Sequence, residues 1–152
     1  MKYPYRAYRV RLYQGEPCST VWRPTVQIAL HGPLGSVKLN ALVDPGVDQT
    51  MLPRQFADAL GISLDQNRPG SVRGFGGSPI TVFPGTADVE IIHRQECFRW
   101  QANIRFGPAN HALLGQLGCL EYFTATFDHH HRVLELNPNE IYEGARKTSN
   151  ST

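Results

Sequence analysis

The sequence predicts an all-β domain, and three observations carry that prediction. Fourteen glycines and eleven prolines punctuate the chain at short intervals. The segments between them favour β-branched and aromatic residues at period two over helical spacing. At 152 residues, 41% of them hydrophobic, the chain has the size of one domain around one core, and no repeat or low-complexity linker offers a place to divide it.

The elements follow in order. Residues 1–23 read as an N-terminal strand or arm, with Trp22 placed where it could pack across a subunit interface. In "TVQIALHGPLGSVKLNALVD", Val26, Ile28 and Leu30 alternate with Gln27, Ala29 and His31. A Gly32-Pro33-Leu34-Gly35 turn follows, and then alternating Val37, Leu39, Ala41 and Val43, which is a hairpin signature. "PRQFADALG" predicts a short helix, with Pro53 at its first position, Phe56 and Leu60 on one face and Gly61 as its stop. "SVRGFGGSPITVF" sets two β-rich flanks around a Gly-rich tip, and "TADVEIIH" and "CFRWQANIRF" predict two further strands. "HALLGQLGCLEYF" passes from an apolar strand into a helical stretch with Leu117, Leu120 and Phe123 on one face, and "TATFDHHHRVLEL" reads as a closing hairpin. The polar residues 138–152 predict a loose tail.

Composition narrows the function classes. The net charge of +2 comes from 15 basic and 13 acidic side chains mixed along the chain, so no basic stripe for nucleic acid is expected. The segment "MKYPYRAYRVRLYQ" lacks the apolar core of a secretory signal, and no apolar run approaches the ~20 residues that cross a bilayer, so the expectation is a cytoplasmic protein with no membrane partner. Three cysteines, Cys18, Cys97 and Cys119, lie far apart without CxxC spacing and read as reduced thiols.

The chemistry centres on "ALVDPGVDQTMLP", residues 41–53. An apolar strand ends in Asp44, and Gly46 two positions on lets the chain fold back and offer its N–H to the acid. Asp-x-Gly also forms ordinary surface turns, in which Asp bonds the backbone two residues on. Here Ala41, Leu42 and Val43 precede the acid and Val47, Met51 and Leu52 follow it, and a carboxylate among apolar segments needs a partner or a task.

In three blocks the sequence resembles the retropepsin-like aspartic proteases, especially their single-domain bacterial and retroviral-type members. "ALVDPGVDQTMLP" matches the family's acid-loop pattern at nearly every position. "RGFGGSPI" falls where the family has a Gly-rich flap hairpin. "HALLGQLGCLEYF" is similar to its apolar-apolar-Gly strand and short helix. The resemblance implies an acid-protease barrel with a flap hairpin and one or two short helices, over residues 24–137. It makes Asp44 the catalytic acid, supported by Pro45, Gly46 and Val47. Asp48, Gly74, Phe75, Gly76 and Gly77 would contact substrate, and Leu113, Leu114 and Gly115 would form the structural apolar-Gly motif. One acid per chain implies a homodimer acting on an extended peptide or protein substrate, without metal or organic cofactor.

One departure bears on activity. The family places Thr or Ser after the acid, whose hydroxyl and N–H tie the two acid loops of a dimer together, and Pro45 has neither donor. Gln116 and Leu117 likewise stand where many relatives carry a charged residue, leaving Gln116 to reach Asp48 by a hydrogen bond. The alternative is thus a catalytically inactive member that binds peptides or mediates assembly. Other signals are weaker: "DHHHRV" is a solvated turn before it is a metal site, with His129 and His131 on one face but no further ligand at fixed spacing. The Gly-rich tip lacks the helix a phosphate loop needs, and no serine sits in a Gly-x-Ser-x-Gly elbow.

Overall fold

In the computed structural model, which describes residues 1–148 apart from positions 75 and 95, the apolar alternation is realised as a closed barrel. Before it come β1 (Lys2–Pro4), β2 (Arg6–Val10) and β3 (Ser19–Arg23). The expected hairpin is β4 (Thr25–Gly32) and β5 (Gly35–Val43), in register from Thr25↔Leu42 to Gly32↔Gly35. Gly35 holds a φ of 134°, a left-handed turn conformation that side chains resist.

Next come β6 (Met51–Pro53) and helix α1 (Arg54–Leu60). Pro53 is the residue before the helix and not its first member, while Gly61 ends the helix in the left-handed conformation, φ 66°. Its N–H and that of Ile62 return to the carbonyls of Asp58 and Ala57, which closes the last turn. Ala57 and Leu60 turn to the core, and burying Leu60 alone contributes roughly 2 kcal/mol.

After β7 (Gly70–Val72), the stretches expected as a flank and a separate strand form one continuous element, β8 (Ile80–His93), paired with β9 (Glu96–Gly107) from Phe83↔Phe106 to His93↔Glu96. The Pro84-Gly85 pair, which falls between the two expected stretches, lies within β8: the Cβ that Gly85 lacks would come within 2.8 Å of Leu64 and 3.1 Å of Phe106. Inward residues meet across the hairpin as Val89↔Trp100 and Ile91↔Phe98.

The last elements are β10 (Ala112–Leu114), a 3-10 turn (Leu120–Tyr122), β11 (Phe123–Asp128), β12 (Val133–Pro138) and β13 (Ala145–Thr148). Six strands close the barrel in the order β9-β6-β10-β5-β4-β8, with β8 returning to β9. A second sheet, β1-β12-β11, packs Tyr3 against the core beside the fully buried Leu134 and Leu136.

Two expectations change here. The stretch after Gly115 makes only the 3-10 turn, because Gly118, at φ 88°, interrupts it; Leu117 is 51% exposed while Phe123 is buried, so they share no face. The polar tail is tied down as far as Thr148: β13 pairs with β9, and the Tyr142 hydroxyl lies 3.1 Å from the Arg99 carbonyl oxygen. Trp22 has the Arg132 guanidinium 4.1 Å over its ring. Among the described residues no helix is long and apolar enough to cross a membrane.

Candidate active site

The acid turn is a consequence of strand pairing. β5 runs parallel to β10, with Ala41↔Ala112, Leu42↔Leu113 and Val43↔Leu114 abreast. Val43 and Leu114 are buried, and the Asp44 N–H donates to the Leu114 carbonyl at 3.0 Å as the last tie of the ladder. One residue later Pro45 can donate nothing, so the chain leaves the sheet there. Val47 N–H closes the turn on the Asp44 carbonyl at 3.2 Å, and Gly46 N–H donates to Asp44 Oδ1 at 2.9 Å. The half-buried carboxylate is thereby held by its own turn, as the Asp-x-Gly spacing predicts.

The turn is fastened by the residues that leave the adjacent strand β10 at the same end of the barrel. Gln116 N–H donates to the Val47 carbonyl and Leu117 N–H to that of Asp48, both at 2.9 Å. Gly115 N–H donates to the hydroxyl of Thr50, which is fully buried. The Gln116 side-chain amide does not reach Asp48 but donates to the Pro45 carbonyl at 2.8 Å. Pro45 lacks a donor, yet its acceptor is used within the chain. Thr50 is therefore a support that sequence reading passes over, visible only as a hydroxyl before Met51 and Leu52, whereas Gln116 is singled out there but with Asp48 as its partner.

Thr50→Val keeps the volume and removes the acceptor, leaving the Gly115 N–H buried and unpaired. It is expected to cost about 1–3 kcal/mol in chemical denaturation. An unchanged midpoint would show that the hydroxyl is dispensable.

Beside the turn lies a cleft of about 710 Å³, within the range of ligand sites. Gly46 to Gln49 with Met51 form one wall, Gly70 to Gly74 with Ile80 and Val82 another, and Leu113 and Arg105 complete the lining. Of the sequence-predicted residues, Gly46, Val47, Asp48, Gly74 and Leu113 thus meet at one cavity. Asp44 and Pro45 stand on the adjoining turn, outside the lining, and Leu114 and Gly115 serve behind it. Gly76 and Gly77 lie at the hairpin tip, with Gly77 N–H on the Gly74 carbonyl at 3.2 Å, and Phe75 falls outside the described residues. Arg105 gave no signal, being one more polar residue in an alternating strand.

The remaining reactive groups have bland surroundings. Burial, with the Glu121 charge adding, pushes the Cys119 thiol up to about 12, so it stays protonated and non-nucleophilic at neutral pH. His131 Nδ1 sits 2.7 Å from Asp128 Oδ2 in the exposed turn after β11. Its backbone N–H, then its ring, hold the Asp128 carboxyl below the usual carboxylate range. Among the described residues no cluster of His, Cys, Asp or Glu has the makings of a metal centre.

Residues 26–93 match the family model described as aspartyl protease, a span that runs from β4 through the acid turn to the end of β8. Among solved structures the chain is similar to EIAV protease complexed with the inhibitor HBY-793, at 19% identity and a TM-score of 0.43, over 70% of this chain and 88% of that one. No curated protein matches the sequence.

Proposed function

Because the chain is retropepsin-like in fold and resembles the aspartyl proteases over residues 26–93, we propose that it is an aspartic endopeptidase whose active form is a symmetric homodimer pairing two copies of Asp44. The observation that carries this reading is the half-buried Asp44 carboxylate, presented at a strand end by a turn that Gly46 and Gln116 hold in place, next to a cleft that could receive a peptide. A single carboxylate can accept a proton but cannot also supply one. Two within hydrogen-bond distance share a proton, since both cannot ionise cheaply; one then deprotonates water while the other protonates the peptide carbonyl.

In this reading the hairpin of β7 and β8 acts as the flap. Its Gly74–Gly77 tip closes over the cleft, excludes bulk water and sets backbone groups against an extended substrate. The strands that close the barrel all lie within residues 24–137, which we take as the catalytic domain. Sedimentation together with cleavage of a peptide library tests the proposal: a dimer that hydrolyses internal peptide bonds supports it, and a strict monomer without turnover sinks it.

Pro45 favours a second reading, a silent member that keeps the cleft and binds peptides. The two part on Pro45→Thr, which restores a hydroxyl and an N–H to each acid loop. Counting one regained interprotomer bond per loop at about 1 kcal/mol, and two loops per dimer, association is expected to tighten roughly thirtyfold in sedimentation, with hydrolysis rising alongside. Tighter association with no hydrolysis at any concentration would favour the silent member.

A further inference from the structure

Arg105 sits near the end of β9, between Ile104 and Phe106, both buried in the core, so the alternation of the strand turns its side chain out of the barrel and onto the cleft. Its backbone is fixed from both sides, by N–H to the Thr50 carbonyl at 2.9 Å and by pairing with Met51 on β6 and Pro84 on β8. Its guanidinium Nε donates to the side-chain carbonyl of Gln49, a neutral group from the acid loop. Among the described residues it has no carboxylate within ion-pair distance, whereas Arg54, Arg68, Arg99 and Arg146 each have one. Arg105 is half-buried, and a partly desolvated guanidinium without a counter-charge is the costly member of such a set. The head group also borders an adjoining depression of about 530 Å³, so it stands where the two concavities meet. Arg73 lines the same cleft, and Asp48 is the sole acid in its wall, so the lining carries a net positive charge.

We propose that Arg105 is the specificity-determining residue of the cleft, and that the preferred substrates are peptides carrying an aspartate or glutamate in the subsite it borders. This rests on the peptide-cleft reading above. A planar guanidinium oriented by Gln49 offers its remaining N–H groups as a fork that a carboxylate matches with two parallel bonds. An amide of the same shape offers one acceptor oxygen and no negative charge, and a lysine is repelled.

The test is a panel of otherwise identical peptides with Asp, Glu, Asn, Gln or Lys substituted at each position in turn, read as kcat/KM and as binding. The wild type is expected to favour the acid over its amide by about ten- to a hundredfold at one position. Arg105→Glu should exchange that preference for lysine at the same position, and Arg105→Met, which keeps length without charge, should flatten it. A purely structural role would lower all peptides together. Asp44-dependent cleavage that treats acid, amide and lysine alike at every position would overturn the proposal and leave the protease reading standing. Arg105-dependent binding of acidic peptides without cleavage would uphold it and overturn proteolysis. A chain that neither binds nor cleaves any member of the panel would overturn both.

Discussion

Asp44→Asn is expected to lower kcat/KM toward any peptide substrate by roughly 10²–10⁴-fold, the usual contribution of a positioned proton-transfer group, while leaving the fold and the dimer in place. The substitution isolates the proton. Asparagine keeps an oxygen where Asp44 Oδ1 accepts the Gly46 N–H at 2.9 Å, and the tie from the Asp44 N–H to Leu114 does not involve the side chain. A carboxamide, however, neither takes a proton from water nor shares one with a second carboxyl group. Peptide hydrolysis, thermal unfolding and sedimentation measured on the same preparation separate the effects. Hydrolysis at wild-type rates would remove Asp44 from the mechanism, and a collapsed unfolding temperature would show that the carboxylate is a structural acid.

The largest loss of stability is expected from Gly115→Ala. The Cβ that glycine lacks would lie 2.6 Å from the Val47 carbonyl oxygen and 2.8 and 2.9 Å from the carbonyl carbon and oxygen of Gln49. All three are backbone atoms of the acid loop, so no rotamer change relieves the contact; either the loop or β10 must move. Overpacking of this kind costs about 1–3 kcal/mol and occasionally more. With main chain on both sides we expect the upper end, a fall of roughly 6–12 °C in the unfolding temperature by calorimetry. Under the proposed mechanism, hydrolysis should fall further than stability alone accounts for, because the displaced segment adjoins Asp44. Gly74→Ala is the control: nothing lies within 4 Å of its added Cβ, and its unfolding temperature should not change. Equal behaviour of the two variants would refute the packing argument.

Much of this architecture is legible along the chain because it is local. The alternation of Val26, Ile28 and Leu30 against Val37, Leu39 and Ala41 needs only its own Gly-Pro turn to become β4 and β5, and α1 carries its stop in Gly61. The acid turn belongs to the same class, since Asp44 and Gly46 are two residues apart. The rest depends on partners distant in sequence. Pro84 and Gly85 fall between two expected stretches until β9 and Leu64 are placed beside them. The tail reads as loose until Tyr142 and β9 meet. Arg105 becomes distinctive only when the barrel closes and sets it at the cleft without a counter-charge, and no periodicity carries that information.

The bonds that fasten the acid turn bridge long distances along the chain: 65 residues separate Thr50 from Gly115, and 71 separate Pro45 from Gln116. Closing loops of that length is among the slow events of folding, because their entropy is spent before the contacts repay it. A nascent polypeptide on the ribosome therefore cannot fasten its acid turn to β10 until residues 115–117 have been synthesised and have returned. Timing alone then leaves the acid turn unfastened until the distant segment that holds it has been made.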